Sequence, residues 1–383
     1  MIIKNARIIG EDFELQQGDL RIEGDTIAEI GGNLSGDGDA LLDAGGKLLL
    51  PGLVDIHSHG CVGFDGCDGD LAGYQKMSDF YASRGVTSFL FTTMTLPTRQ
   101  LEEICTRIGQ FCDSHSHGAV PRGIYVEGPF LNYDKRGAQA GKHIIAPDLS
   151  ALERLDRLSG GRARVVAVAP ELEGAMEFIS QPKERFTVTL AHTDADYDTT
   201  VEAARRGASL VTHLYNAMNQ PMHRAPGVPG AVFDTGMFAE IICDGLHIHP
   251  SMVRTAFRAA APRRMVLVSD SMRAAGMPDG DYELGGQPVK VEKGRATLAG
   301  GVLAGSVTNL LDCLRNIVDW GIPLRQAVEA ASRNPATVIG LDHLIGSIAI
   351  GKRADLLLVD DDFAPHAVFI GGKRWTGPAG AAV

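Results

Sequence analysis

The segment Pro51-Gly52-Leu53-Val54-Asp55-Ile56-His57-Ser58-His59-Gly60 is where the chain becomes readable. A Pro-Gly turn leads into a short apolar run that ends in two imidazoles one residue apart. Alternation along a strand puts His57 and His59 on one face and Ser58 on the other, so the two rings can share a metal ion. An apolar run closed by one ionisable residue then recurs downstream, in Tyr125-Val126-Glu127, Leu190-Ala191-His192, Val211-Thr212-His213 and Val268-Ser269-Asp270. A buried carboxylate or imidazole is costly unless it is paired or bound to metal, so five such coincidences need one cause. A lone strand-end His is more often a hydrogen-bonded structural residue than a ligand. It is the joint pattern that points to a metal centre.

These runs belong to an alternation of strand-like and amphipathic helical segments, the signature of a parallel sheet with crossover helices. Strands are expected at Leu53–His59, Val86–Met94, Arg122–Gly128, Ala163–Glu171, Phe186–Thr193, Ser209–Asn216, Ala239–His247 and Met265–Met272. Eight strands in about 220 residues match a (β/α)8 TIM-type barrel, where chemistry collects at the C-terminal strand ends. A doubly wound open sheet predicts a Gly-rich phosphate turn after an early strand, and none is present. The two ends of the chain read instead as short strands and tight turns, Met1–Ile9 and Leu20–Ile30 at one end, Ala354–Val359 and Ala367–Ile370 at the other. The expected fold class is α/β, with a barrel over 51–343 and a small β-sandwich domain assembled from 1–50 and 344–383. The tail Thr376–Val383 is expected to fray.

Composition narrows the function classes. The chain has 36 Lys+Arg against 47 Asp+Glu, a formal net charge of −11, with 44% hydrophobic and 22% charged residues. That apolar content excludes disorder, and the acidic balance argues against nucleic-acid or membrane partners, which need a basic field. No apolar run approaches the roughly 18 residues of a membrane span, and Met1–Asn5 does not open a secretory signal. The six cysteines form no C-x-x-C pair, so buried reduced thiols in a cytoplasmic protein are expected.

His and carboxylate ligands without thiolates suit Zn²⁺ or Fe²⁺ better than Mg²⁺ or Ca²⁺. Such an ion lowers the pKa of bound water towards about 7 and polarises a carbonyl, which is hydrolytic chemistry. Asp270 is then the candidate proton shuttle, taking a proton from that water and giving it to a leaving amine.

At these residues the chain resembles the N-acetylglucosamine-6-phosphate deacetylase family of the metal-dependent amidohydrolase superfamily. The match runs through Pro51–Gly60, Glu127-Gly128-Pro129-Phe130-Leu131-Asn132, Thr212-His213-Leu214-Tyr215-Asn216-Ala217-Met218, Asp244-Gly245-Leu246-His247, Ser269-Asp270-Ser271-Met272, Leu303-Ala304-Gly305-Ser306 and Asn334-Pro335-Ala336. The resemblance implies removal of acetate from the 2-acetamido group of an N-acetylhexosamine 6-phosphate, in a homodimeric enzyme with one or two divalent metals per subunit. It implies that Glu127, His192 and His213 are the principal ligands, that His57 and His59 hold a second metal, and that Glu127 bridges the two. Ala138, Gln139, Asn216, Ala217, Arg224, His247, Leu303, Ala304 and Gly305 match substrate-contacting positions, Arg224 and His247 those that meet the sugar phosphate. Ser306 reads as the N-cap of the helix that follows.

One departure stands out. After Glu-Gly-Pro the family commonly has Lys-Gly-Ala-His, whose His helps to polarise the acetyl carbonyl. Here the segment is Lys135-Arg136-Gly137-Ala138-Gln139, with His143 four residues on. Gln139 can donate a hydrogen bond but carries no charge. Three options follow: Gln139 takes the role, His143 swings in, or the metal acts alone. The departure bears on whether the sugar is the gluco or the galacto epimer. Two other readings are an amidohydrolase acting on a cyclic or acyl amide, and an inactive scaffold on the same barrel. The complete ligand set argues against the second.

Overall fold

The computed structural model describes residues 1–36, 40–181 and 185–377. Eight parallel strands form one sheet whose order follows the chain: β1 Leu53–Asp55, β2 Val86–Thr92, β3 Val120–Val126, β4 Ala163–Val168, β5 Thr187–Leu190, β6 Leu210–Val211, β7 Phe238–Ile242 and β8 Met265–Val268. A helix follows each, from Leu71–Ser83 after β1 to Leu310–Asp319 after β8. Carboxylates and amides start many of them, Asp70, Asp148, Asp196 and Asn309 each accepting from first-turn N–H groups. Asn309, rather than Ser306, caps the last. Ser306 instead donates its hydroxyl to the Ser269 carbonyl (2.6 Å) and so binds the strand end.

The sheet closes into a barrel above its ladder. β1 and β8 are stitched by Asp270 N–H to the His57 carbonyl (2.9 Å) and His59 N–H to the Ser271 carbonyl (2.8 Å). Alternate strand residues divide between two cores. Val54, Leu90, Tyr125, Val165, Ala167, Leu210 and Val266 fill the interior, with Val338, Ile339 and Ile345 packed on the same cluster. Leu53, Phe89, Phe91, Ile124, Val166, Val188 and Leu267 belong to the larger cluster shared with the helices. Each such side chain contributes about 1.5–3 kcal/mol by leaving water. The barrel is thus a packed plug, and the polar residues lie at its C-terminal end.

The expected strands overrun. The ladders end at Asp55, Thr92, Val126, Val168, Leu190, Val211, Ile242 and Val268, so the candidate ligands stand on the loops just beyond. The strand alternation invoked for His57 and His59 therefore does not operate there, although both side chains still enter one site.

The two chain ends meet in a mixed eight-stranded sheet containing Ile2–Ile9, Leu15–Glu23, Thr26–Gly31, Leu48–Pro51, Leu356–Val359 and Pro365–Ile370. Leu48–Pro51 runs antiparallel to Leu356–Val359, with Leu49 opposite Leu358. Leu49, Leu356 and Leu358 turn into this sheet's own core with Ile3, Ile8 and Leu20, while Leu48, Leu50, Leu357 and Val359 join the barrel's outer core. Gly52 links the sheet to β1; a Cβ there would lie 2.3 Å from Thr87 Oγ1, so no larger residue fits. Of the tail expected to fray, residues 378–383 lie outside the described residues.

Between β8 and its helix the chain adds a feature that βα alternation did not predict. Gly280–Leu284, Gln287–Glu292 and Arg295–Leu298 form a three-stranded antiparallel sheet. No helix among the described residues is long and apolar enough to cross a membrane. All six cysteines are free, four buried and Cys67 and Cys112 only partly so.

Candidate active site

Six side chains from five strand ends converge, and two groups of three each bring their ligand atoms within 4.8 Å of one another: Glu127, His192 and His213, and His57, His59 and Asp270. Glu127 lies between them. Its Oε1 is 3.3 Å from His192 Nε2 and 3.2 Å from His213 Nε2, and its Oε2 is 3.2 Å from His59 Nε2. Asp270 Oδ1 lies 3.5 Å from His57 Nε2 and 3.4 Å from His59 Nε2. His192, His213 and Asp270 all take positive φ, +46°, +29° and +46°. Such backbone costs on the order of 1–3 kcal/mol per non-glycine residue and concentrates at functional sites. Here it follows from turning a side chain inward one or two residues after its strand has ended.

Outer contacts fix which nitrogen each imidazole presents. His192 Nδ1 faces the Lys135 carbonyl at 2.9 Å, and His213 Nδ1 faces the Asn216 carbonyl at 3.2 Å. A carbonyl only accepts, so both rings carry a proton on Nδ1, which leaves Nε2 as the nitrogen available to a metal. His57 Nδ1 meets Glu240 Oε2 at 2.8 Å with both side chains fully buried, and His57 Nε2 has no hydrogen-bond partner. The Nε2 atoms of His192 and His213 lie 3.3 Å apart and both face Glu127 Oε1, so three potential ligand atoms are gathered at one point. Burial disfavours charge on His57, yet Glu240, Glu127 and Asp270 hold its pKa well above the usual imidazole range. Burial likewise opposes His59, but Asp270 and Glu127 lift it to about 10. Burial works against ionisation of Glu127 and Asp270 as well, and the surrounding imidazoles pull both below the usual carboxylate range. The cluster demands positive charge, and its N/O donor set fits a divalent ion such as Zn²⁺ or Fe²⁺.

The profile of the amidohydrolase family matches residues 48–375, more than four-fifths of the chain. The chain belongs to the amidohydrolase family. Among curated amidohydrolases of this kind, it is 36% identical over 328 residues to the N-acetylglucosamine-6-phosphate deacetylase of Vibrio furnissii, covering 85% of this chain and 82% of that one. It is 34% identical over 375 residues to the N-acetylgalactosamine-6-phosphate deacetylase of Escherichia coli O157:H7, covering 97% and 98%. Its fold superposes with a TM-score of 0.91, at 30% identity and 98% coverage of both chains, on a mutant N-acetyl-D-glucosamine-6-phosphate deacetylase from Mycobacterium smegmatis in complex with N-acetyl-D-glucosamine-6-phosphate. These relatives put the amidohydrolase within the N-acetylglucosamine-6-phosphate deacetylase family.

In this amidohydrolase a cavity of about 280 Å³ opens on the ligand cluster. Ala138, Gln139, Asn216, Ala217, His247, Leu303 and Gly305 line it, as the resemblance implied, together with Met94, Leu284 and Val302. Two implied contacts are not brought in. Ala304 is fully buried and its N–H donates to the Ala296 carbonyl (3.2 Å), so it shapes the loop without lining the cavity. Arg224 is exposed on the turn between Met222 and Ala225 and lines a neighbouring groove with Asn219 and Gln220. His143 lines a separate cleft with Tyr133, Lys142 and Arg273. His247 Nδ1 pairs with Asp244 Oδ2 at 2.7 Å. Sequence reasoning passed over Glu240, although a single acid inside Phe238-Ala239-Glu240-Ile241-Ile242 is a legible anomaly. It also passed over Leu284, whose hairpin turn Gly285-Gly286 was visible.

Proposed function

We propose that this amidohydrolase hydrolyses the 2-acetamido group of N-acetyl-D-glucosamine 6-phosphate to the amino-sugar 6-phosphate and acetate. The observation that carries the reading is the pair of adjoining three-ligand groups, with Glu127 of one group also facing His59 of the other, on the floor of a cavity just large enough for a small molecule. Glu127, His192 and His213 would hold a first divalent ion, and His57, His59 and Asp270 a second. When bound, such an ion polarises the acetamido carbonyl and makes water nucleophilic near neutral pH.

The chain's own residues supply the rest. Asp270 is buried, ionised and held 3.4–3.5 Å from two imidazole nitrogens, so its carboxylate is poised to accept a proton and later pass it to the departing amine. Asn216 and Ala217 offer polar and small contacts on one side of the cavity, while Leu284, Val302 and Leu303 present an apolar wall that excludes water. His247, whose pKa is raised by its pairing with Asp244, lines the cavity outside the ligand cluster and is assigned to the phosphate. We further propose a homodimer, whose interface would cover exposed Met222 and Leu246 on the loops that carry Arg224 and His247. The galacto epimer is the second reading, supported by similarity to an N-acetylgalactosamine-6-phosphate deacetylase over 97% of this chain. Acetate release from both epimers, each with and without the 6-phosphate, tests the proposal at defined metal loading. Fastest turnover of the gluco 6-phosphate is expected. Equal rates with and without phosphate would overturn the phosphate assignment, and faster turnover of the galacto compound would exchange the two epimers.

A further inference from the structure

Gln139 stands where the family commonly has the carbonyl-polarising His, and its surroundings give it a different task. It is almost wholly buried. Its Oε1 accepts the Thr95 backbone N–H at 2.7 Å, and its Nε2 donates to Glu127 Oε2 at 2.8 Å. The orientation of the amide is unambiguous, because the Thr95 N–H can only donate and the ionised Glu127 carboxylate can only accept. The second hydrogen on Nε2 faces Met94 Sδ at 3.7 Å. Every polar atom of the amide is therefore engaged, and no donor remains for a substrate carbonyl.

These contacts determine how Glu127 is presented. Glu127 turns Oε1 to His192 and His213, and Oε2 to His59 and Gln139. One lone pair of Oε2 is spent on Gln139, which fixes the carboxylate plane, and the other is left facing His59. Thr95, the anchor at the far end of the amide, is itself confined. Its Oγ1 lies 2.1 Å from where a Cβ on Gly128 would stand, the residue directly after Glu127. Gln139 thus bridges the loops that follow β2 and β3 and locks the carboxylate that faces imidazoles of both ligand groups.

We propose that Gln139 is a positioning residue that orients Glu127 for metal binding, in place of polarising the acetyl carbonyl. The inference rests on the metal-site reading above. Hydrogen-bond partners of metal ligands typically contribute 10- to 100-fold to metal affinity. The test is a competition titration of metal-stripped protein with Zn²⁺ against a chromogenic chelator, on the parent, on Gln139→Met, which keeps the side-chain volume but removes both hydrogen bonds, and on Gln139→Leu as a second variant should the first fail to fold. The expected result is a zinc dissociation constant about 10- to 100-fold weaker in the variants, with the zinc dependence of acetate release displaced to higher concentration by the same factor. An unchanged zinc affinity with kcat lowered at saturating zinc would overturn the proposal and return Gln139 to the polarising role. Failure of the parent itself to bind zinc would instead overturn the metal-site reading.

Discussion

The contact between His57 and Glu240 makes a quantitative prediction that does not depend on substrate. Nδ1 and Oε2 are 2.8 Å apart, and both side chains have no exposed surface. Beyond His57, the Glu240 side chain accepts a hydrogen bond, among the described residues, only from the His213 backbone N–H at 3.3 Å, and its Oε1 has no hydrogen-bond partner among them. Replacing His57 by Ala strands a buried carboxylate, and losing one partner of a buried pair costs about 3–5 kcal/mol. Replacing Glu240 by Gln leaves His57 still facing Glu127 and Asp270, so only one charged hydrogen bond is weakened, at about 1.5–3 kcal/mol. In the Glu240→Gln background the Glu240 charge is no longer there to be stranded, and His57→Ala should cost about 2 kcal/mol less than in the parent, within the coupling range of contacting residues. Urea unfolding of metal-stripped protein, followed by circular dichroism in the presence of chelator, measures all four corners of the cycle. Costs that add to within about 0.5 kcal/mol would show that the two groups do not act as a pair, and the assignment of Glu240 as the residue that fixes the His57 ring would fall.

Asp270→Asn should retain the ion held by Glu127, His192 and His213 by elemental analysis while acetate release drops by about 100-fold or more, the usual contribution of a positioned acid–base group; normal turnover in the metal-loaded variant would remove the shuttle role. Burial works against the His247 cation, but the hydrogen bond and charge of Asp244 outweigh it and raise its pKa above the ordinary imidazole value. The sign follows: the cation persists above pH 6.5 and is lost only as pH passes the raised value, so KM for the 6-phosphate should rise there. KM for the dephosphorylated sugar should stay level across the same range. For the same reason the stabilising effect of the pair is fully present below about pH 6.5 and is lost as pH rises through the His247 pKa.

The fold was legible because each barrel strand is an apolar run with its own boundary residue. The candidate ligands were legible because burying a charge at such a boundary has few explanations. Glu127, His192, His213 and Asp270 stand out for that reason. Glu240 did not, since it sits inside the ladder, opposite Val266, and its partner is 183 residues away. The lone acid in that strand is visible in the sequence, but nothing local tells what pairs with it. The hairpins over 280–298 went unread for another reason. Their alternation, as in Val289-Lys290-Val291-Glu292, is clear, but a strict βα alternation reserves that stretch for the helix after β8. Arg224 shows the reverse limit: a side chain matched by motif can stand on an exposed turn outside the cavity of its own chain.

The overall charge of −11 and an anionic substrate are reconciled inside the cavity. Glu127, Asp270 and Glu240 surround His57, and the imidazoles of His57, His59 and His247 face these carboxylates. Burial also pushes Asp55, directly beneath, up to about 6, so that this carboxylate gives up part of its own charge. The raised pKa of His59 and His57 means that protons hold the place of a cation in the bare site. A divalent ion must displace those protons, so metal uptake releases protons and weakens as pH falls. Loading exchanges mobile protons for a fixed positive charge at the cavity floor. On the proposed function, that local charge together with His247 would give a phosphorylated sugar a favourable field, which the protein as a whole does not provide.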